Sequence, residues 1–233
     1  DPYHIRSDLF AHRGRRTVRL TRDARLTTPD LRADGRIVAV QTLPAATRLV
    51  TMSSDGSDLR PLTEGDLDVQ WAEPRWSPDG SLVAAVRWQR GGTSEIVVLD
   101  TTGRLVQRIS PAHAIQATPS WSPDGTHLYF TSDRTGVTNV YSTPVGAGRS
   151  DSLEVLTAAT TGFFYPAVSP DGRWLVGSVV LGDGYHLGVG PMARLDPVPA
   201  GALSAAAEPE PAPPLDSVDT PATPYSPWRT LWP

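Results

Sequence analysis

The chain has 233 residues, 39% of them hydrophobic, enough to build a real core in one or two domains. A formal charge of −4, with no block of like charge, argues against a nucleic-acid partner, which calls for a basic face or stripe. Without cysteine there is no disulfide framework, thiolate metal site or cysteine nucleophile, and no apolar run reaches the ~20 residues of a membrane helix. The chain opens on Asp1-Pro2-Tyr3 and is expected to carry no signal peptide of its own and to be cut from a longer polypeptide. Two strand-like pieces, residues 7–10 and 17–20, come first and read as an incomplete repeat.

A regular unit follows. Ser77-Pro78-Asp79-Gly80, Ser122-Pro123-Asp124-Gly125 and Ser169-Pro170-Asp171-Gly172 share one tetrapeptide, and Leu31-Arg32-Ala33-Asp34-Gly35 is a decayed copy. Their aspartates, Asp34, Asp79, Asp124 and Asp171, are spaced by 45, 45 and 47 residues, a period of propeller blades and of some helical repeats. Helices are ruled out by short β-branched stretches that Gly and Pro interrupt. In the turn, proline presets φ, aspartate caps local amides, and glycine accepts the left-handed conformation that releases the next strand. Each turn follows a short extended piece: Pro74-Arg75-Trp76, Pro119-Ser120-Trp121 or Pro166-Ala167-Val168. Second strands are expected at residues 37–40, 82–86, 127–131 and 174–179. Third strands follow at 47–52, 95–100, 138–142 and 186–189, and fourth strands at 59–63, 105–109 and 153–157. Four strands per repeat describe one propeller blade. Such a blade buries both faces only when neighbours stack on it, so Trp76, Trp121 and Val168 are expected between blades.

From Pro197 the chain is rich in Pro and Ala, as in residues 205–214, and cannot bury enough surface to offset its ordering entropy. Residues 197–233 are therefore expected to form a disordered linker with an aromatic end segment.

The pattern Pro-x-Trp-Ser-Pro-Asp-Gly, an apolar strand, Ile96-Val97-Val98-Leu99-Asp100 and a closing Leu-Thr resembles the WD40-like (PD40-type) repeat of TolB-like β-propellers. The resemblance implies an all-β fold, a partial β-propeller of four-stranded antiparallel blades. Residues 1–196 would hold blades near 28–66, 72–110, 117–158 and 163–196, about four of an expected six, as an open arc. The segment Pro224-Tyr225-Ser226-Pro227-Trp228-Arg229-Thr230-Leu231-Trp232-Pro233 resembles the lead-in that joins some large bacterial propellers of this kind to an outer-membrane surface-antigen barrel. An aromatic tail is the alternative.

No Gly-x-Ser-x-Gly elbow, His-Glu-x-x-His helix or Walker loop is present. The five histidines, His4, His12, His113, His127 and His186, lack metal-ligand spacing, and Asp66 and Asp68 read as a solvated loop. No catalytic residue, cofactor or metal is expected. The aspartates of the turns (Pro78, Asp79, Gly80; Pro123, Asp124, Gly125; Pro170, Asp171, Gly172) cap backbone amides rather than bind calcium. Function in propellers gathers at the channel mouth, on loops joining one blade to the next and loops joining second to third strands. On them Trp71, His113, Gln116, Phe163, Phe164 and Tyr165, with Arg90 and Arg134 as polar anchors, are the expected contacts for a protein or peptide. The competing reading of Phe163-Phe164-Tyr165 is inter-blade core. The resemblance implies a non-catalytic scaffold of the bacterial cell envelope, periplasmic or associated with the outer membrane. The alternative is the substrate-gating propeller of a prolyl-oligopeptidase-like hydrolase whose catalytic domain lies elsewhere.

Overall fold

A computed structural model describes residues 7–109, 114–146, 153–192 and 198–199. A hairpin of β1 (Phe10–Arg13) and β2 (Arg16–Arg19) leads. Blade 1 holds β3 (Leu26–Leu31), β4 (Arg36–Thr42), β5 (Thr47–Ser53) and β6 (Arg60–Pro61). Blade 2 holds β7 (Val69–Trp76), β8 (Leu82–Gln89), β9 (Thr93–Asp100) and β10 (Leu105–Ile109). Blade 3 holds β11 (Gln116–Trp121), β12 (His127–Ser132), β13 (Asn139–Pro144) and β14 (Glu154–Val155). Blade 4 holds β15 (Phe163–Val168), β16 (Trp174–Leu181) and β17 (Gly184–Pro191). Consecutive strands pair antiparallel within each sheet, and no sheet closes on itself. The two residues of β18 (Val198–Pro199) pair with β14, on the outer edge of blade 3. The fold is thus an all-β, open, partial propeller. No helix among the described residues is long and apolar enough to cross a membrane.

The strands of blade 2 show why blades need neighbours. Residues alternate sides along a strand, so the unbroken apolar run of β8 divides between two cores. Val83 and Ala85, with Val97 and Leu99, meet Val38, Val40, Leu49 and Leu62 of blade 1 around Trp76. Ala84 and Val86, with Ile96 and Val98, meet Leu128, Phe130 and Tyr141 of blade 3 around Trp121. The hairpin reaches blade 1 through Leu9, Leu26, Ile37 and Met52, and blade 3 reaches blade 4 through Val140, Leu156 and Leu175.

The three Ser-Pro-Asp-Gly turns are built alike. Each glycine has φ near +71° and donates its amide to the serine carbonyl, at 2.8, 2.9 and 2.8 Å for Gly80, Gly125 and Gly172. Each aspartate accepts the serine hydroxyl at 2.6 Å and the amide of the residue two on (Ser81, Thr126 or Arg173). These bonds, led by the Ser122 and Ser169 hydroxyls, lower the carboxyls of Asp124 and Asp171 to about 2. Asp79 is lowered in the same way, first by Ser77. The decayed turn of blade 1 is one residue shorter. Its strands meet at Arg32 N–H to Arg36 O, where blade 2 uses Ser77 N–H to Leu82 O, so Ile37 takes the place of Val83. The spare side chain bridges blades: the Arg32 guanidinium donates to Gly80 O at 2.7 Å and lies 4.8 Å from the Trp76 ring centre.

Fourth strands end on a repeated seat. In blade 1, Leu62 N–H donates to Leu49 O (2.8 Å) while Leu49 N–H donates to Thr63 Oγ1 (2.9 Å). Leu156 and Thr157 treat Val140 identically in blade 3, and Leu20 and Thr21 treat Leu9 so in the hairpin. The hairpin is therefore the outer half of a blade.

Candidate functional site

Two sets of connections lie together at the end of the blades away from the Ser-Pro-Asp-Gly turns. In every blade the segment entering the first strand is hydrogen-bonded to the end of the second strand or the turn after it. The pairs are Thr42 N–H to Arg25 O (2.9 Å), Arg90 N–H to Asp68 O (2.9 Å), Ile115 N–H to Asp133 Oδ1 (2.7 Å) and Val180 N–H to Gly162 O (3.3 Å). Three of these bonds run backbone to backbone, and the Asp133 carboxylate accepts the fourth.

The first strand of each blade carries a β-bulge just before its proline. The register shifts between Thr27 and Asp30, Ala72 and Arg75, Ala117 and Ser120, and Phe164 and Ala167. The bulged residues Thr28, Glu73, Thr118 and Tyr165 have φ of 46°, 50°, 54° and 53°. Left-handed backbone is uncommon for non-glycine residues and rarer still before proline. Across adjacent blades these positions are stitched: Thr118 N–H donates to Glu73 Oε2 at 2.6 Å, and Trp76 N–H to Asp30 Oδ2 at 2.7 Å. Sequence reasoning missed the bulge, although Pro29, Pro74, Pro119 and Pro166 recur with the repeat and mark it.

Three expected contact residues prove to be one repeat position, the third before that proline. Trp71 is half-buried, exchanges hydrogen bonds with Thr47 Oγ1, and packs on the core between blades 1 and 2. It also lines a cleft of 460 Å³ with Asp66, Arg87 and Thr102. Gln116 is fully buried; its Oε1 accepts Ile96 N–H at 2.9 Å, and its backbone bonds Ser94 Oγ. Phe163 lays its ring over Gly177, where an added Cβ would come within 2.1 Å of it, and joins the core between blades 3 and 4. Arg134 stacks over Tyr141, 5.4 Å from the ring centre, and burial pulls its guanidinium below the ordinary arginine value.

Tyr165 and Arg90 face solvent, and Phe164 is half-buried. Tyr165 is 66% exposed, and Phe164 meets Tyr185 edge-on at 6.4 Å. Arg90 is exposed and ion-paired with Asp68 at 3.1 Å, a surface pair of little energetic weight. His113 lies outside the described residues. Tyr165 and Arg90 are therefore exposed and Phe164 half-buried, while Gln116 and Phe163 pack between blades and Arg134 stacks within blade 3. Among the described residues no three His, Cys, Asp or Glu side chains gather as a metal site.

The repeat geometry has a counterpart among known families. The model of the TolB beta propeller domain matches residues 68–186, more than half of the chain. This chain belongs to the TolB β-propeller family. The Tol-Pal system protein TolB of Alcanivorax borkumensis is 42% identical over 65 residues, 27% of this chain and 14% of that protein. The uncharacterized peptidase YuxL of Bacillus subtilis is 27% identical over 142 residues, 47% of this chain and 22% of that protein. TolB from Acinetobacter baumannii superposes with a TM-score of 0.65 at 20% identity, over 79% of this chain and 45% of that one. The chain spans less than half the length of each of these relatives.

Proposed function

We infer that this TolB-like propeller is a non-catalytic scaffold of the bacterial cell envelope, periplasmic or associated with the outer membrane, that binds a protein or peptide. The observation that carries the reading is the hydrogen-bonded loop face, which leaves Tyr165 66% exposed on a bulge whose counterpart Glu73 is tied to the next blade. A rigid aromatic held out on a positive-φ bulge suits a protein contact, since tyrosine and arginine dominate binding energy at interfaces. The matching stretch of a Tol-Pal system protein supports an envelope role. An outer-membrane barrel following residue 233 is part of this proposal.

The likeness to a protein named as a peptidase favours one second reading, a propeller that gates substrate to a hydrolase domain elsewhere in the same polypeptide. A photo-crosslinking phenylalanine analogue at position 165, with Ser81 on the opposite face as control, separates the two. Adducts to a separate envelope protein from position 165 alone support the scaffold. Adducts within the parent polypeptide, to a domain that cleaves peptides, support the gate. Equal adducts from positions 165 and 81 remove both.

A further inference from the structure

At the end of the blades that carries the Ser-Pro-Asp-Gly turns, the clefts between successive turns differ in what fills them. Between blades 1 and 2, Arg32 is held by the Asp34 carboxylate, through Nε at 2.7 Å and through Nη2. It also donates Nη1–H to Gly80 O at 2.7 Å and lies over the Trp76 ring. The side chain runs so close to Gly80 that a Cβ there would come within 2.2 Å of Arg32 Cδ. Between blades 2 and 3 the sealing tryptophan is Trp121, and Pro78 approaches Gly125. Between blades 3 and 4 the tryptophan position holds Val168, and the turn bonds put Ser122 where Arg32 stands. A cleft of 310 Å³ opens there along Asp124, His127, Tyr129 and Gly172. A Cβ at Gly172 would meet nothing within 4 Å.

This third cleft keeps the groups that hold Arg32 in the first. Val38 shares a core with Trp76 and Ala84 with Trp121, whereas Tyr129, at the same register position, packs on one core with Val168. The aromatic ring is thus supplied from the opposite side of the seam. Burial, and after it the charge of Asp124, raises the Tyr129 phenol above its ordinary value. Asp124 Oδ1 takes every bond of its turn, from the Ser122 hydroxyl, Thr126 N–H and the Thr126 hydroxyl, and among the described residues none reaches Oδ2. In the other three turns the second oxygen is taken, by Arg32, by the Ser81 hydroxyl at 2.7 Å and by Arg173 Nε at 2.6 Å. We propose that the cleft between the turns of blades 3 and 4 is a guanidinium-binding site, in which an arginine side chain pairs with Asp124 Oδ2, donates to Gly172 O and lies against Tyr129 as Arg32 lies against Trp76. A planar fork of donors suits a carboxylate, a carbonyl and a ring face together better than an ammonium does. The arginine belongs either to a separate polypeptide or to another stretch of this chain, and the experiment separates the two. The site lies away from the loop face around Tyr165, and either reading of that face leaves it unchanged.

The probe is N-acetyl-arginine amide titrated into the 233-residue chain, followed through the backbone amide resonances of Asp124, Tyr129 and Gly172. The three are expected to shift together with half-saturation in the millimolar range, and the lysine analogue to bind about fivefold more weakly. Asp124→Asn keeps a carbonyl oxygen for the turn and replaces the open oxygen by an amide, and it is expected to weaken binding about tenfold. Asp79→Asn makes the same change of charge in the turn of blade 2 and is expected to leave binding as it was. The titration is repeated on Arg149→Ala combined with Arg194→Ala, which removes the arginines that flank blades 3 and 4 in sequence outside the described residues. Shifts in the unaltered chain assign the site to an arginine from a separate molecule. Shifts that arise only in the double variant show the same site already serving one of the chain's own arginines. Absence of shifts in both proteins, equal binding of the lysine analogue, or equal losses from Asp124→Asn and Asp79→Asn overturns the proposal.

Discussion

Gln116 stands in for a threonine that its neighbours possess. Leu49 and Val140 give their amides to Thr63 and Thr157, whereas the equivalent Ile96 gives its amide to the Gln116 carboxamide of the next blade. Gln116→Ala leaves that buried amide bare and is expected to cost about 1–3 kcal/mol in urea unfolding. A comparable test sets the two blade-sealing tryptophans against each other. Trp121 Nε1–H donates to Arg75 O at 3.0 Å, but Trp76 Nε1 is buried with no partner among the described residues. Trp121→Phe is expected to destabilise by about 1 kcal/mol, and Trp76→Phe by clearly less, both read from denaturation midpoints. Asp8 contributes through protonation. Burial pushes its carboxyl upward, and hydrogen bonds from Arg19, Thr21, Ala24 and Asp23 together outweigh that, lowering it from 3.8 to about 2. Its stabilisation is complete above the unfolded value and is lost as pH falls from about 4 towards 2. The slope of stability against pH in that window is expected to be smaller in Asp8→Asn, the remainder coming from the other lowered aspartates, Asp34, Asp55, Asp79, Asp100, Asp124 and Asp171.

At the scale of the element, strand content and period were legible because every blade repeats its punctuation. The sequence located β8 and β12 from apolar runs after Asp-Gly, and the structure extends β8 to Gln89 and β12 to Ser132 by pairing. It underestimated the first strands, since β7 begins at Val69 rather than near Pro74, and a bulge before proline reads locally as a break. That misreading carried into the site. A loop read as lasting until the proline includes Gln116 and Phe163, which the structure places in β11 and β15. Tyr165 is the residue displaced by the bulge, and displacement leaves a bulky side chain in solvent. What pairs across blades, Glu73 with Thr118 or Arg32 with Gly80, had no local signature, because partners lie 45 or more residues apart.

At the scale of the molecule, each interior blade is held by two seams and each end by one. Blade 4 turns Leu175 inward but leaves Tyr185, Leu187 and Val189 in water, and the hairpin leaves Phe10 and Val18. Exposed apolar faces of this kind drive association. The molar mass by light scattering is expected to rise with concentration, and Leu187→Lys combined with Val189→Lys to reduce the rise. A mass independent of concentration in the unaltered chain would argue that these faces are already covered.

The short turn of blade 1 carries a consequence for how such repeats tolerate lost residues. The missing residue is absorbed inside the turn: Leu31 faces Ile37 as Trp76 faces Val83, and β4 sends Val38 and Val40 towards blade 2 as β8 sends Ala84 and Val86 towards blade 3. A turn that gives up a residue in this way leaves both of its strands in register, so no side chain changes face. The length of these turns is thus free to drift between blades, whereas the facing of the strands on either side is not.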